Sequence, residues 1–215
     1  MAGTPLNSTD KPYIRVIDGN IAQTVEKGTE GARLREYELS DKTKGEKYEL
    51  IYSNWSGKIQ GIEFKDGTYG VTCNIDLGDA ILSLNTSDRY FQDFASKLPN
   101  GDITKPFLFH PYAMEVDGKT KKGISLQQND EKLKNFYYDG EKNLHDFPTV
   151  NEEMLDKLKK NYWKIFFAEV SAFLIGKVEV LEFDKPAPVK DEEPMTLEKA
   201  EEIMKEDDNG SGLPF

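Results

Sequence analysis

The sequence predicts a mainly β, α+β fold, on three observations. Between residues 57 and 84, short runs of β-forming residues are separated by tight-turn dipeptides. One stretch of helical period follows at 87–99. A second hairpin pattern then runs from residue 106 to 127. The order strand, strand, strand, helix, strand, strand is that of an OB-fold, a five-stranded Greek-key barrel. The expected body is an elaborated OB-fold over residues 13–183 with a long C-terminal helix. A flexible N-terminus, 1–12, precedes it, and a linker and disordered acidic tail, 184–215, follow.

Each element has a local reason. Residues 1–12 are polar, with Pro5 and Pro12. Residues 13–17 are β-branched and short. Residues 33–39 place Leu34, Tyr37 and Leu39 in imperfect alternation, 41–46 read as a turn or loop, and 48–52 resume β-formers. The run 58–64 ends at Asp66-Gly67, a hairpin signal. The return strand puts Val71, Cys73, Ile75 and Leu77 on one face; Gly78-Asp79 turns again into a third strand, 80–84. Ser87 or Asp88 can cap a helix whose Tyr90, Phe91, Phe94 and Leu98 recur at helical spacing, ended by Pro99-Asn100-Gly101. Residues 106–116 and 123–127 flank a turn at 117–120, and 135–138 suggest an edge strand. Residues 150–175 predict one long helix, capped by Asn151 with Glu152 and Glu153 at its positive end. Pro186 and Pro188 stiffen a linker, and 196–205 suggest a short helix.

Composition narrows the function. Cys73 is the only cysteine among 215 residues, so no intramolecular disulfide forms. His110 and His145 lie far apart. No run approaches the roughly 20 apolar residues that span a bilayer, and residues 1–5 lack a charged start before an apolar stretch. A cytoplasmic protein is expected. No Walker-type phosphate loop or Gly-x-Ser-x-Gly elbow occurs. Asp76 and Asp79 read as turn carboxylates, with a metal pair as the alternative; Cys73 reads as a buried thiol and His110 as a structural histidine. No catalytic residue, metal or cofactor is expected.

Net charge is −11, but unevenly spread. Residues 182–215 hold eleven acidic and four basic residues; residues 1–181 hold twenty-eight and twenty-four. A nearly balanced body can carry a basic groove. Single-stranded DNA asks for cations along phosphates and rings on which bases stack. Tyr52, Trp55 and Lys58 surround a turn-like stretch; Phe109 and Tyr112, with Phe107, line the next long strand; Lys119, Lys121 and Lys122 cluster by the second hairpin turn. These are the candidate DNA contacts. Core packing is the alternative for each aromatic, and a solvated turn for the lysines.

Glu206-Asp207-Asp208 and Asn209-Gly210-Ser211-Gly212 cannot bury enough apolar surface to fold alone, yet Leu213-Pro214-Phe215 follow. Asp207, Asp208, Leu213, Pro214 and Phe215 resemble the tail of bacterial single-stranded DNA-binding proteins and their phage counterparts, in which an OB-fold body is followed by acidic residues and a terminal Phe. Here Asn209 to Gly212 separate the acids from the tip, and the long helix is closer to a phage protein with an elaborated OB-fold. The resemblance implies a body that coats single-stranded DNA in replication, recombination or repair, in a bacterial cytoplasm, the host's if phage-encoded. It implies a tail that recruits polymerase, helicase, primase or recombination proteins and competes with DNA for the groove. A homodimer is compatible; a membrane partner is not expected. Three other readings stay open: an adaptor that does not bind DNA, an enzyme of nucleotide or nucleic-acid metabolism with converging carboxylates, and a phage structural protein.

Deleting residues 207–215 is expected to strengthen oligonucleotide binding at low salt and to abolish capture of replication proteins. Both readouts unchanged would refute the tail model.

Overall fold

The computed structural model describes residues 11–38, 42–68 and 70–183. They belong to one compact unit, Met1–Asp184. The chain forms β1 (Tyr13–Ile17), β2 (Asn20–Val25), β3 (Arg33–Glu38), β4 (Lys44–Tyr52), β5 (Trp55–Lys58), β6 (Gly61–Gly67), β7 (Gly70–Asp76), β8 (Ile81–Asn85), α1 (Arg89–Lys97), β9 (Pro106–Val116), β10 (Lys119–Gln128), β11 (Glu131–Lys132), α2 (Glu152–Leu158) and α3 (Lys160–Glu179). The fold is mainly β with helices, as expected. The strands make an open seven-stranded sheet, β3-β4-β2-β1-β8-β7-β6, and a four-stranded sheet, β11-β10-β9-β5.

One run of chain joins the sheets. β4 pairs with β2 and β3, then β5 crosses to pair with β9, and β6 returns to pair with β7. Ile59, at the crossing, is buried, and Gln60 N–H donates to Asp76 O at 2.8 Å. Gly57 sits against Leu77, where an added Cβ would come within 2.8 Å of both the Leu77 Cβ and its carbonyl oxygen. A side chain there would push the crossing strand off its neighbour.

Turn chemistry sets the registers. Asp117-Gly118 has positive φ at both residues (52° and 69°) and joins β9 to β10 as a two-residue hairpin, with Val116 opposite Lys119. Asp18-Gly19 does the same for β1 and β2 (47° and 76°). Both fit the left-handed turn that matches strand twist.

The core lies between the sheets and α1. Asp88 caps α1 by accepting Tyr90 N–H. The stripe of Tyr90, Phe91, Phe94 and Leu98 is buried. Phe91 meets Phe64 of one sheet at 6.0 Å, and Phe94 meets Phe109 of the other at 5.9 Å. Cys73 is fully buried, and burial pushes its thiol up to about 12, so it stays protonated and inert. α1 also covers the edge of β10. Asp93 accepts Ile124 N–H at 2.8 Å, Lys97 donates to Ile124 O at 2.6 Å, and the two side chains pair at 2.8 Å.

Several expectations change. The expected five-stranded barrel is not seen: the large sheet is open, β8 pairs in parallel with β1 rather than with β10, and α1 side chains hold the β10 edge at Ile124. β2 was not expected. β4 begins at Lys44, inside the expected loop, and β6 runs through Asp66-Gly67 to turn after Gly67. Residues 135–138 are no strand: Asn135 accepts Tyr137 N–H, and Tyr137 packs among Phe136, His145, Phe147 and Phe173. The long helix breaks at Lys159, whose φ of 49° no α-helix accommodates, and Tyr162 Oη accepts Asn151 N–H at 2.6 Å across the break. Asn151 caps as expected. The expected helix at 196–205, the tail and the first ten residues lie outside the described residues.

Phe109→Ala is expected to cost about 3–5 kcal/mol of stability, read from the urea midpoint. A loss under about 1 kcal/mol would contradict a core position.

Candidate nucleic-acid interface

Residues opposite each other in a ladder share a face. On the seven-stranded sheet the register puts Arg33, Arg35 and Tyr37 of β3 beside Lys47 and Glu49 of β4. Thr24 and Ala22 of β2 follow, then Tyr13 and Arg15 of β1, then Ser83 and Asn85 of β8 with Thr72 and Asn74 of β7. The other face carries Ile14, Leu82, Cys73 and Ile75 into the core.

This outer face is organised around one carboxylate. Glu49 is 1% exposed and lies between two guanidinium groups. Arg15 Nη2 reaches it at 2.5 Å and Arg35 Nε at 3.0 Å. A buried carboxylate is tolerable only when paired, and here it aligns two arginines whose side chains remain about a third exposed. Tyr37 lies flat across Gly45, where an added Cβ would meet the ring at 2.4 Å. Arg35 and Lys47 flank that ring at 5.7 and 5.2 Å from its centroid, within cation–π range. Tyr13 is 55% exposed. Two further acids on this face are paired: Asp76 holds Lys11 at 2.7 Å, and Glu63 holds Lys65 at 3.0 Å. A groove of about 510 Å³ opens beside Tyr13, Arg15, Thr24, Thr72, Ser83 and Asn85.

A second cleft, of about 610 Å³, is lined by Arg89, Asp93, Tyr112, Lys121, Lys122 and Phe167. Burial and then the neighbouring Asp93 raise the Tyr112 phenol above its ordinary value. Lys122 connects the two clefts: it pairs with Asp88 at 3.1 Å and lies over Tyr90 at 5.2 Å, and both of those residues line the first groove.

The residues singled out from sequence divide. Tyr112, Lys121 and Lys122 come together in the second cleft. Lys119 is exposed on β10 beside the turn. Phe109 is a correction: it is fully buried between Trp55, Phe107 and Phe94, so no base can reach it. Phe107 is likewise core. Tyr52 and Trp55 form an edge-on pair at 5.0 Å packed against the core, with Trp55 Nε1 donating to Asp79 at 3.3 Å. Lys58, three residues beyond Trp55, projects from the opposite face of β5, so these three make no single surface. Arg15, Arg33, Arg35, Lys47, Tyr13, Tyr37 and Arg89 were missed. Alternation of Arg33, Arg35 and Tyr37 at period two was the available signal.

Among the described residues no group of His, Cys, Asp and Glu is placed to hold a metal ion. No described helix is long and apolar enough to cross a membrane. The carboxylates held below their ordinary pKa lie in exposed turns: hydrogen bonds from Thr104 and Lys105 hold Asp102 down to about 2, and backbone N–H groups of Lys142 and Glu141 lower Asp139. Comparison with protein-family models, curated proteins and solved structures gives no match.

Proposed function

We propose that the protein binds single-stranded DNA on the outer face of the seven-stranded sheet and serves DNA replication, recombination or repair. The observation that carries this is the Arg15–Glu49–Arg35 arrangement beside Tyr13, Tyr37 and Lys47. It places cations beside an exposed Tyr13 ring and a partly buried Tyr37 ring, while Glu49, Asp76 and Glu63 of that face are held in ion pairs. Those are the two things a sequence-tolerant single-strand site needs. The local cationic face offsets the unfavourable net charge of the chain.

The body reads as an elaborated OB-fold. The kinked β5–β6 run takes the place of a first strand that pairs with both the second and the fourth, followed by β7, β8, α1, β9 and β10. In such folds the face of the second and third strands and the loop between the fourth and fifth bind oligonucleotides. Those correspond to the groove over β7 and β8 and to the Asp117-Gly118 hairpin with Lys119 and Lys121. We assign residues 184–215 the role of recruiting replication proteins, with Phe215 as the docking tip, and place the activity in a bacterial cytoplasm.

Arg35→Ala and Arg33→Ala are expected to weaken oligo(dT) binding. Each should reduce the slope of log affinity against log salt by roughly 0.7, the share of one phosphate on a single strand. Salt slopes identical to wild type in both variants, with folding intact by circular dichroism, would refute the assignment of this face.

A further inference from the structure

The stripe of α3 that docks on the body changes character along its length. Its C-terminal half carries Ser171, Leu174 and Val178, all buried. Ser171 Oγ donates to Thr86 O at 3.0 Å and lies 3.4 Å from Gln92 Nε2. One to three turns earlier the same stripe, at spacings of three and four, carries Lys160, Trp163, Lys164 and Phe167, and all four are exposed. Trp163 is 41% and Phe167 44% exposed. Their rings lie 6.0 Å apart with planes 30° from one another. Phe167 also lines the second cleft, beside Arg89, Tyr112, Lys121 and Lys122.

We propose that Trp163 and Phe167 are a base-stacking subsite that extends the single-strand path from the second cleft onto α3, with Lys160 and Lys164 meeting the phosphates. This rests on the reading of the protein as a single-stranded DNA binder. The choice of occupant follows from charge. Two exposed rings alternate with two exposed lysines and adjoin a cleft lined by three more cations. A single strand presents bases and anionic phosphates in the same alternation. A second copy docking by two-fold symmetry would bring this patch against itself, setting lysine against lysine, and lysine is depleted in interface cores.

The full chain carrying Trp55→Phe leaves Trp163 as the sole indole. Its emission should be quenched by oligo(dT) in a salt-reversible way and not by an abasic strand of equal length. By anisotropy of a labelled oligo(dT), Trp163→Ala combined with Phe167→Ala should bind about tenfold or more weakly, the scale of lost stacking. Trp163→Phe, which keeps a ring, should retain most of the affinity. If wild type binds oligo(dT) while the double variant binds equally and Trp163 emission does not change, the subsite is wrong and the functional reading stands. If the double variant instead converts a dimer to a monomer in sedimentation at unchanged DNA affinity, the patch is a contact between copies and the proposal falls. If wild type binds no oligonucleotide at low salt, both the subsite and the functional reading fall.

Discussion

The backbone N–H and C=O of Ile124 stand on the outer edge of β10, before its short pairing with β11 at Gln127 and Gln128, and the Asp93–Lys97 pair of α1 satisfies both. An unpaired buried amide costs about as much as a lost hydrogen bond with its desolvation, and a bare edge invites pairing with another chain. Two side chains one helical turn apart remove both problems. They also fix the height and rotation of α1. From that position Phe91 meets one sheet, Phe94 meets the other, and Gln92 reaches Ser171 of α3.

The same contact explains why the large sheet is open. With the β10 edge occupied by α1, the free edge of β8 is left to another strand, and β1 fills it in parallel. β1 brings β2 by a tight turn, whose Gly19 packs against the backbone of β9 so closely that an added Cβ would lie 2.3 Å from Ala113 N. β2 brings β4, and β4 brings β3. Arg15 arrives on the first of these strands, Glu49 on the third and Arg35 on the last. The cationic face is thus a consequence of how one strand edge is sealed.

Much of the fold was legible locally. Period-two alternation located β7, helical spacing located the buried stripe of α1, and Asp117-Gly118 located a hairpin. Registers were less legible, since Asp66-Gly67 carries the hairpin signal but stays in β6 and the chain turns just after it. The break at Lys159 has no sequence mark, because lysine has no local preference for positive φ, and the Tyr162–Asn151 contact that spans the break joins residues eleven apart. The site was hardest to read. Trp55 and Phe109 are the residue types that stack on bases, but they are also the types that fill cores, and cross-strand pairing sends them inward. Arg15, Arg35 and Glu49 are distant in sequence and meet only through a register that no local pattern encodes.

The most direct test follows the Arg15 and Arg35 side-chain Nε–Hε signals by nuclear magnetic resonance while oligo(dT) is added at low salt. Both signals should shift together, and the shifts should reverse as salt is raised. Oligonucleotide binding that leaves both signals in place would contradict a single-strand interface on this sheet face.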